Sequence, residues 1–383
     1  MKLLYISPEF PENFQNFVIK LHEAGVDVYA VGSNDFYSMS EKVRSSIKYY
    51  INTNLENYND LKNAIHYMMT ICKIDKFDYV ESHNEHWLYV ESKINEDFKI
   101  PGIKPNTLGM WKKKSIMKEM FQANGLAYAK GRLVGDLQDA IKLAQELHYP
   151  VILKPDIGVG ACGIKKIKSQ IELEQNFEKM EKPFLMEECL KGTLVTYDGL
   201  TDKAGKIIYD SSFVYNETGV LDYLSGNDPA CYIRKDLPPN LVKMGQKLVK
   251  IFKVERKFFH IEFFDHHGVY TPVEVNSRPP GGHIIDMMNY GLEGDLYKAW
   301  ADMIADKKVT FQNRKYLCGY FGRQNKNYKS TPDDLYKKYP KEMITYFVPP
   351  ALYWETMGKH IYIFKSEVEG TILNIIKDGL ETI

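Results

Sequence analysis

The sequence predicts an α/β unit followed by a larger α+β body, and three observations carry that prediction. Strands and helices alternate over the first hundred residues. A glycine-rich loop lies between two strand-like segments, and a late hairpin alternates charged with apolar residues.

In the first unit, residues 3–6 read as a buried strand. Phe14, Phe17, Val18 and Leu21 then recur at helical spacing, and Gly25 stands where a helix ends. Val26-Asp27-Val28-Tyr29-Ala30-Val31 is the next strand. A helix over residues 58–73 precedes a strand at Asp78-Tyr79-Val80-Glu81, and Ile100-Pro101-Gly102 closes the unit. Such alternation implies right-handed βαβ crossovers and a parallel sheet.

The body follows. Residues 114–124 and 140–147 are helical. Tyr149 to Pro155 is a strand entering the glycine loop, and Ile164-Lys165-Lys166-Ile167 is the returning strand. Ser169 and Glu172 form a capping box for a helix through residue 180. Residues 183–189, 194–200 and 206–214 are strands. After a helix at 240–252 comes a hairpin of residues 258–264 and 269–275, with the turn Asp265-His266-His267-Gly268. Residues 310–383 form a smaller tail rich in Tyr and Phe.

Composition narrows the function classes. The chain has 383 residues, 50 basic and 50 acidic side chains and zero formal net charge, with 44% hydrophobic residues. Two or three domains fit that length, and neither nucleic acid nor a membrane surface is the expected partner. No apolar run reaches the ~18–20 residues of a spanning helix. Ser7-Pro8-Glu9 interrupts the N-terminal apolar stretch before a signal peptide develops. Five scattered cysteines argue for a reducing compartment, so a cytoplasmic protein is expected.

Gly158-Val159-Gly160-Ala161-Cys162-Gly163 matches G-x-G-x-x-G, but the dinucleotide fingerprint needs a helix directly after it. Here a strand follows, which excludes the NAD reading. A glycine hairpin turn instead offers bare backbone N–H groups to a polyphosphate. Lys154, at the end of the preceding strand, stands within reach of phosphate oxygens, and Lys114 is a second candidate.

The sharpest cluster is the late hairpin. Strand alternation puts His260 and Glu262 on one face, and likewise Glu274, Asn276 and Arg278, while Ile261, Phe263, Val273 and Val275 face the core. Two carboxylates and an amide oxygen are hard ligands suited to Mg²⁺, which also takes phosphate oxygens and waters. Arg278 adds a fork of donors for phosphate or carboxylate, and Pro279-Pro280-Gly281-Gly282 follows as a stiff turn. The alternative is a solvated face with salt bridges. His83-Asn84-Glu85-His86 lacks zinc spacing and, following a strand end, reads as local structure or the wall of a pocket. Cys162, Cys189 and the pair His266-His267 suggest no chemistry.

Lys114, Lys154, the 158–163 loop, Glu187-Glu188-Cys189-Leu190 and Glu262…Glu274-x-Asn276-x-Arg278 occur in an order that resembles the ATP-grasp superfamily over residues 108–300. The string from Val273 to Gly282 is most similar to the L-amino acid ligase branch. The resemblance implies an ATP-grasp architecture with an N-terminal Rossmann-like βαβ domain (1–107). Next come an N-lobe with the glycine flap (108–190) and a C-lobe with the metal hairpin (191–309). A C-terminal α+β lid or packing unit (310–383) completes it. It also implies that Lys114 and Lys154 hold ATP phosphates under a flap containing Gly158, Gly160 and Gly163. Glu187, Glu188 and Leu190 read adenine, while Glu262, Glu274 and Asn276 bind Mg²⁺ (or Mn²⁺). Arg278 steadies an acyl phosphate, with His260 and Asp198 near the substrates. Leu194 stands where relatives often carry a ribose-binding acid. The implied function is an ADP-forming ligase that joins a small-molecule carboxylate to an amine, with a homodimer allowed. A carboxylase or thiol ligase, and a non-catalytic ATP-binding protein, are the alternatives.

Overall fold

The computed structural model describes residues 1–158, 163–215 and 227–383. Its first sheet comprises β1 (Lys2–Ile6), β2 (Asp27–Gly32), β3 (Tyr49–Asn52) and β4 (Tyr79–Glu81) in the order β3-β2-β1-β4, all pairs parallel. The chain reverses its direction of strand addition between β1 and β4. Loops leaving their carboxyl ends, at Ser7 and Ser82, therefore border the crevice where open α/β sheets hold ligands.

A second, antiparallel sheet joins β5 (Gly131–Val134), β6 (Val151–Pro155), β7 (Lys165–Ile167) and β8 (Phe184–Glu188) in the order β5-β8-β6-β7. Helices Leu137–Leu147 and Gln170–Phe177 bury Ala140, Leu143, Leu173 and Phe177 against it. Ser169 caps the second helix by accepting from Glu172 N at 3.3 Å, but Glu172 Oε2 reaches back to Lys168 N, at 2.6 Å, one residue short of the expected box. Ser169→Ala should lower unfolding free energy in urea by about 1 kcal/mol.

Among the described residues the large sheet holds nine strands. β9 (Thr193–Thr201), β10 (Ile207–Ser211), β11 (Phe213–Tyr215) and β12 (Ala230–Ile233) are followed by β13 (Phe258–His266) and β14 (Val269–Asn276). The C-terminal β15 (Leu317–Arg323), β16 (Met343–Phe347) and β17 (His360–Ser366) continue the same sheet. Its path is β14-β13-β9-β11-β12-β15-β17-β16, with β10 paired to β9. Helix Glu369–Leu380 covers Phe321 and Phe364 with Ile372, Ile375 and Ile376.

One core ties the first sheet to the large one. Leu3, Tyr5 and Phe17 share it with Phe258, Trp300 and Ile361, and helix Gln15–Glu23 packs on helix Leu296–Ile304. Among the described residues no helix is long and apolar enough to cross a membrane, and Cys72, Cys189, Cys231 and Cys318 are free.

Candidate active site

The hairpin β13–β14 turns more tightly than its sequence suggests. His267 and Gly268 form a two-residue loop with φ of 52° and 82°, the left-handed pair that suits strand twist, and Asp265 Oδ1 accepts from Gly268 N at 2.8 Å. The register sets Glu262 opposite Glu274 and His260 opposite Asn276. A bulge follows: Phe263 pairs with Pro272, leaving Val273 unpaired and only half-buried rather than in the core. Ile261, Phe263 and Val275 are fully buried against helices Pro239–Ile251 and Lys114–Ala123, so the polar residues are forced onto the other face.

That face is sheltered, unlike a solvated hairpin. The side chains of Glu262 and Glu274 are 22% and 15% exposed, and Asn276 is 2% exposed. Lys114 Nζ, from the first turn of helix Lys114–Ala123, lies 3.1 Å from Glu274 Oε1 and donates to Gly158 O at 3.4 Å. Burial pushes the Glu274 carboxyl up, against the pull of Lys114 and with the push of Glu262. Asn276 Oδ1 is buried without a hydrogen-bond partner. An orphaned acceptor beside two facing carboxylates fits a divalent cation, since a buried acceptor left unmet is costly. Among the described residues no three His, Cys, Asp or Glu side chains are grouped to hold a metal alone. Two carboxylates and an amide oxygen do not fill a cation's shell, so an ion held here would complete it with phosphate oxygens and water, as Mg²⁺ does.

His260 is locked in place. Its Nδ1 lies 2.6 Å from Asp198 Oδ1 and its Nε2 3.3 Å from Glu262 Oε1, while Phe213 stacks on the ring at 5.8 Å. Burial opposes its charge, but Asp198 and Glu262 outweigh burial and raise the imidazole to about 9. At neutral pH it is an imidazolium that donates to both carboxylates.

The lysine side is built on the second sheet. Asp156, at the end of β6, accepts from Ser115 N at 2.8 Å and Ser115 Oγ at 3.0 Å, capping the helix that carries Lys114. Lys154 is 4% exposed and pairs with Glu187 Oε1 at 2.5 Å. Lys118, one helical turn beyond Lys114, pairs with Glu187 Oε2 at the same distance. Lys118 escaped the sequence reading, although its i+4 spacing from Lys114 was visible. The Glu187 side chain is thus held by two lysines, and Glu188 accepts from Lys130 N at 2.7 Å. Leu190 follows β8, half-buried, and Leu194 is buried. Gly158 and Gly163 flank the loop; Gly160 and Cys162 lie outside the described residues.

Arg278 is drawn to the first sheet. Its Nε donates to Glu85 Oε2 at 3.0 Å and its Nη1 to Pro279 O at 3.0 Å. Arg278, Glu262 and His260 line one end of a cavity of about 1010 Å³. Its other walls come from the Glu9–Phe14 turn, His83 to Glu85, Pro279 to Gly282 and the segment from Phe347 to Met357.

Residues 147–286 match the ATP-grasp domain family, and the fold is similar to that of solved structures along nearly the whole chain. The crystal structure of an L-amino acid ligase from Bacillus licheniformis aligns with a TM-score of 0.74 at 15% identity, covering 98% of this chain and 97% of that one. The L-arginine-specific L-amino acid ligase of Bacillus subtilis is 22% identical over 293 residues, 71% of this chain and 69% of that protein. The carbamoyl phosphate synthase large chain of Clostridium acetobutylicum is 25% identical over 190 residues, 47% of this chain. This chain spans only 17% of that protein's length.

Proposed function

We propose that the chain is a cytoplasmic, ADP-forming ligase that joins a small-molecule carboxylate to an amine. The observation that carries this reading is the sheltered face on which Glu262 and Glu274 meet beside the unpartnered Asn276 Oδ1, with Lys114 directly across. In this reading Glu262, Glu274 and Asn276 hold Mg²⁺. The ion, when bound, neutralises charge on the phosphates of ATP.

The chain's own residues do the rest by placement. Lys114 and Lys154 neutralise phosphate oxygens beneath the glycine loop, and Lys118 holds Glu187 against Lys154. A carboxylate oxygen of the acid substrate attacks the γ-phosphorus, the bond to the β-phosphate oxygen breaks, and ADP leaves. Arg278 steadies the resulting acyl phosphate. The amine then attacks the acyl carbon, phosphate departs with the bonding pair, and the amine loses its proton. His260, protonated and bonded on both sides, keeps Glu262 oriented rather than serving as the base. The cavity of about 1010 Å³ has room for both substrates. The division of labour follows the boundaries 1–107, 108–190, 191–309 and 310–383.

The test is ADP and phosphate release from Mg·ATP with a panel of carboxylates and amines. Release is expected only when an acid is added, and a product amide only when an amine is also present. ADP formation indifferent to every acid and amine would sink the ligase reading.

A further inference from the structure

We propose that Glu85 is a positioning residue for Arg278, and that the turn Ser82–Glu85 is locked for that purpose. The proposal rests on the reading that Arg278 meets the acyl phosphate, and adds to it a residue from the N-terminal unit.

Glu85 begins a single turn of 3-10 helix after β4, far from the hairpin in sequence. Its side chain is 4% exposed, and its Oε2 takes the Arg278 Nε–H at 3.0 Å across a separation of 193 residues. A second bond, from Nη1 to Pro279 O at 3.0 Å, holds the same guanidinium. Two bonds to a planar group fix its plane as well as its position. The Glu85 carboxylate takes the inner edge of the fork, at Nε.

The turn bearing Glu85 is held by more than its sequence requires. Glu81 Oε1 accepts from both Ser82 N and His83 N at 3.0 Å, which stabilises His83 at a left-handed φ of 52°. Ser82 Oγ lies within hydrogen-bond distance of both Asn84 O and Glu91 Oε2, at 3.2 and 3.3 Å, and Asn84 Oδ1 accepts from His86 N at 3.0 Å. Lys257 lies between Glu81 and Glu91, at 3.0 and 2.7 Å. The backbone carbonyl of Glu85 takes a further bond from Lys112 Nζ at 2.9 Å. Residues 81–85, Glu91 and Lys257, with Ser277 and Arg278, line a small cavity of about 10 Å³, the size of one water.

Packing alone explains this poorly. Burying an ion pair costs desolvation that its attraction repays only with excellent geometry, and hydrophobic pairs of similar size often do as well. Here the pair is kept at the wall of the large cavity, beside the carboxylate face of the hairpin. The positioning role has a direct chemical content. Without Glu85 the guanidinium rotates about its last torsion, and a misplacement near 1 Å at a reacting centre costs roughly 10²-fold.

The test compares wild type, Glu85→Gln and Glu85→Asp in the full chain. Glu85→Gln is expected to lower kcat by about 10- to 100-fold. The Kd for ATP should stay within about twofold and the melting temperature within a few degrees, and Glu85→Asp should recover part of kcat. A kcat within twofold of wild type overturns the proposal. So does a loss of kcat that is matched by ATP affinity or by melting temperature, since that is ordinary structural damage. The Arg278 Nε–H resonance, identified by its loss in Arg278→Lys, should move upfield in Glu85→Gln; an unmoved resonance overturns the bond itself. A wild-type chain that releases no ADP with any acid would instead fail the ligase reading, and the resonance would still decide on Glu85.

Discussion

Glu274→Gln should lower turnover by about 10³-fold, the size of effect seen when one charge-stabilising group is lost from a transition state. Three physical consequences add. The substitution removes one of two carboxylates from the face that also holds Asn276, so the affinity for a divalent ion falls. It leaves Lys114, only 6% exposed on its side chain, without its partner at 3.1 Å. It also frees Glu262 from the facing negative charge, so that the remaining carboxylate draws Lys114 toward itself. The second point corrects a view of this hairpin as a free surface face: some loss of stability accompanies the loss of activity. Glutamine keeps the size and one acceptor oxygen, so the fold survives. Turnover measured against Mg²⁺ concentration checks the assignment. The half-saturating Mg²⁺ is expected to rise, with partial recovery at high metal, while near-wild-type turnover at ordinary Mg²⁺ would remove Glu274 from the metal set.

The hairpin was legible because period-two alternation is a local rule. Ile261 and Val275 go to the core, so Glu262, Glu274 and Asn276 must share the opposite face. Even its bulge has a local cause in Pro272, which lacks an N–H for the ladder. Other features depend on contacts that no window of sequence holds. Glu85 acquires meaning only when β4 ends near Arg278, and Lys257 only when it enters a crevice between β4 and helix Leu88–Asp97. The joining of the tail to the large sheet is of the same kind. The sequence marked residues 310–383 only as a tail rich in Tyr and Phe, and the partner of its first strand, β12, lies 89 residues upstream by the register of Cys231 with Tyr320. Lys118 stands between these cases. Its position one turn from Lys114 was local, but its partner Glu187 comes from another sheet strand.

Lys257→Met should destabilise the fold by about 3–5 kcal/mol, because removing one member of a buried charge cluster leaves the others uncompensated. Lys257 is 5% exposed and touches Glu81 at 3.0 Å and Glu91 at 2.7 Å, which are themselves 3% and 1% exposed. Two carboxylates share one ammonium, so their titrations separate. Burial opposes the charge of Glu81, but Lys257 and the backbone N–H of His83 win and lower it to about 2. Burial dominates at Glu91, against the pull of Lys257 and with the push of Glu81, and raises it to about 7. The sign of the pH effect follows from proton binding. Between the ordinary carboxylate value and about 7 the native Glu91 keeps a proton that the unfolded chain has lost, so its contribution to stability fades as pH rises through that window. Glu81 acts oppositely, and its contribution fades only as pH falls below the ordinary carboxylate range toward 2. Urea unfolding at pH 5 and pH 8 separates the two. Glu91→Gln, which mimics the protonated form, is expected to be as stable as wild type at pH 5 and more stable at pH 8. Lys257→Met should be weaker than wild type at both, and weakest at pH 8, where both carboxylates are driven to ionise. A Glu91→Gln variant that tracks wild type across this range would mean that Glu91 is already charged at pH 5, and the cluster would then be a simple triad in which Lys257 compensates both partners.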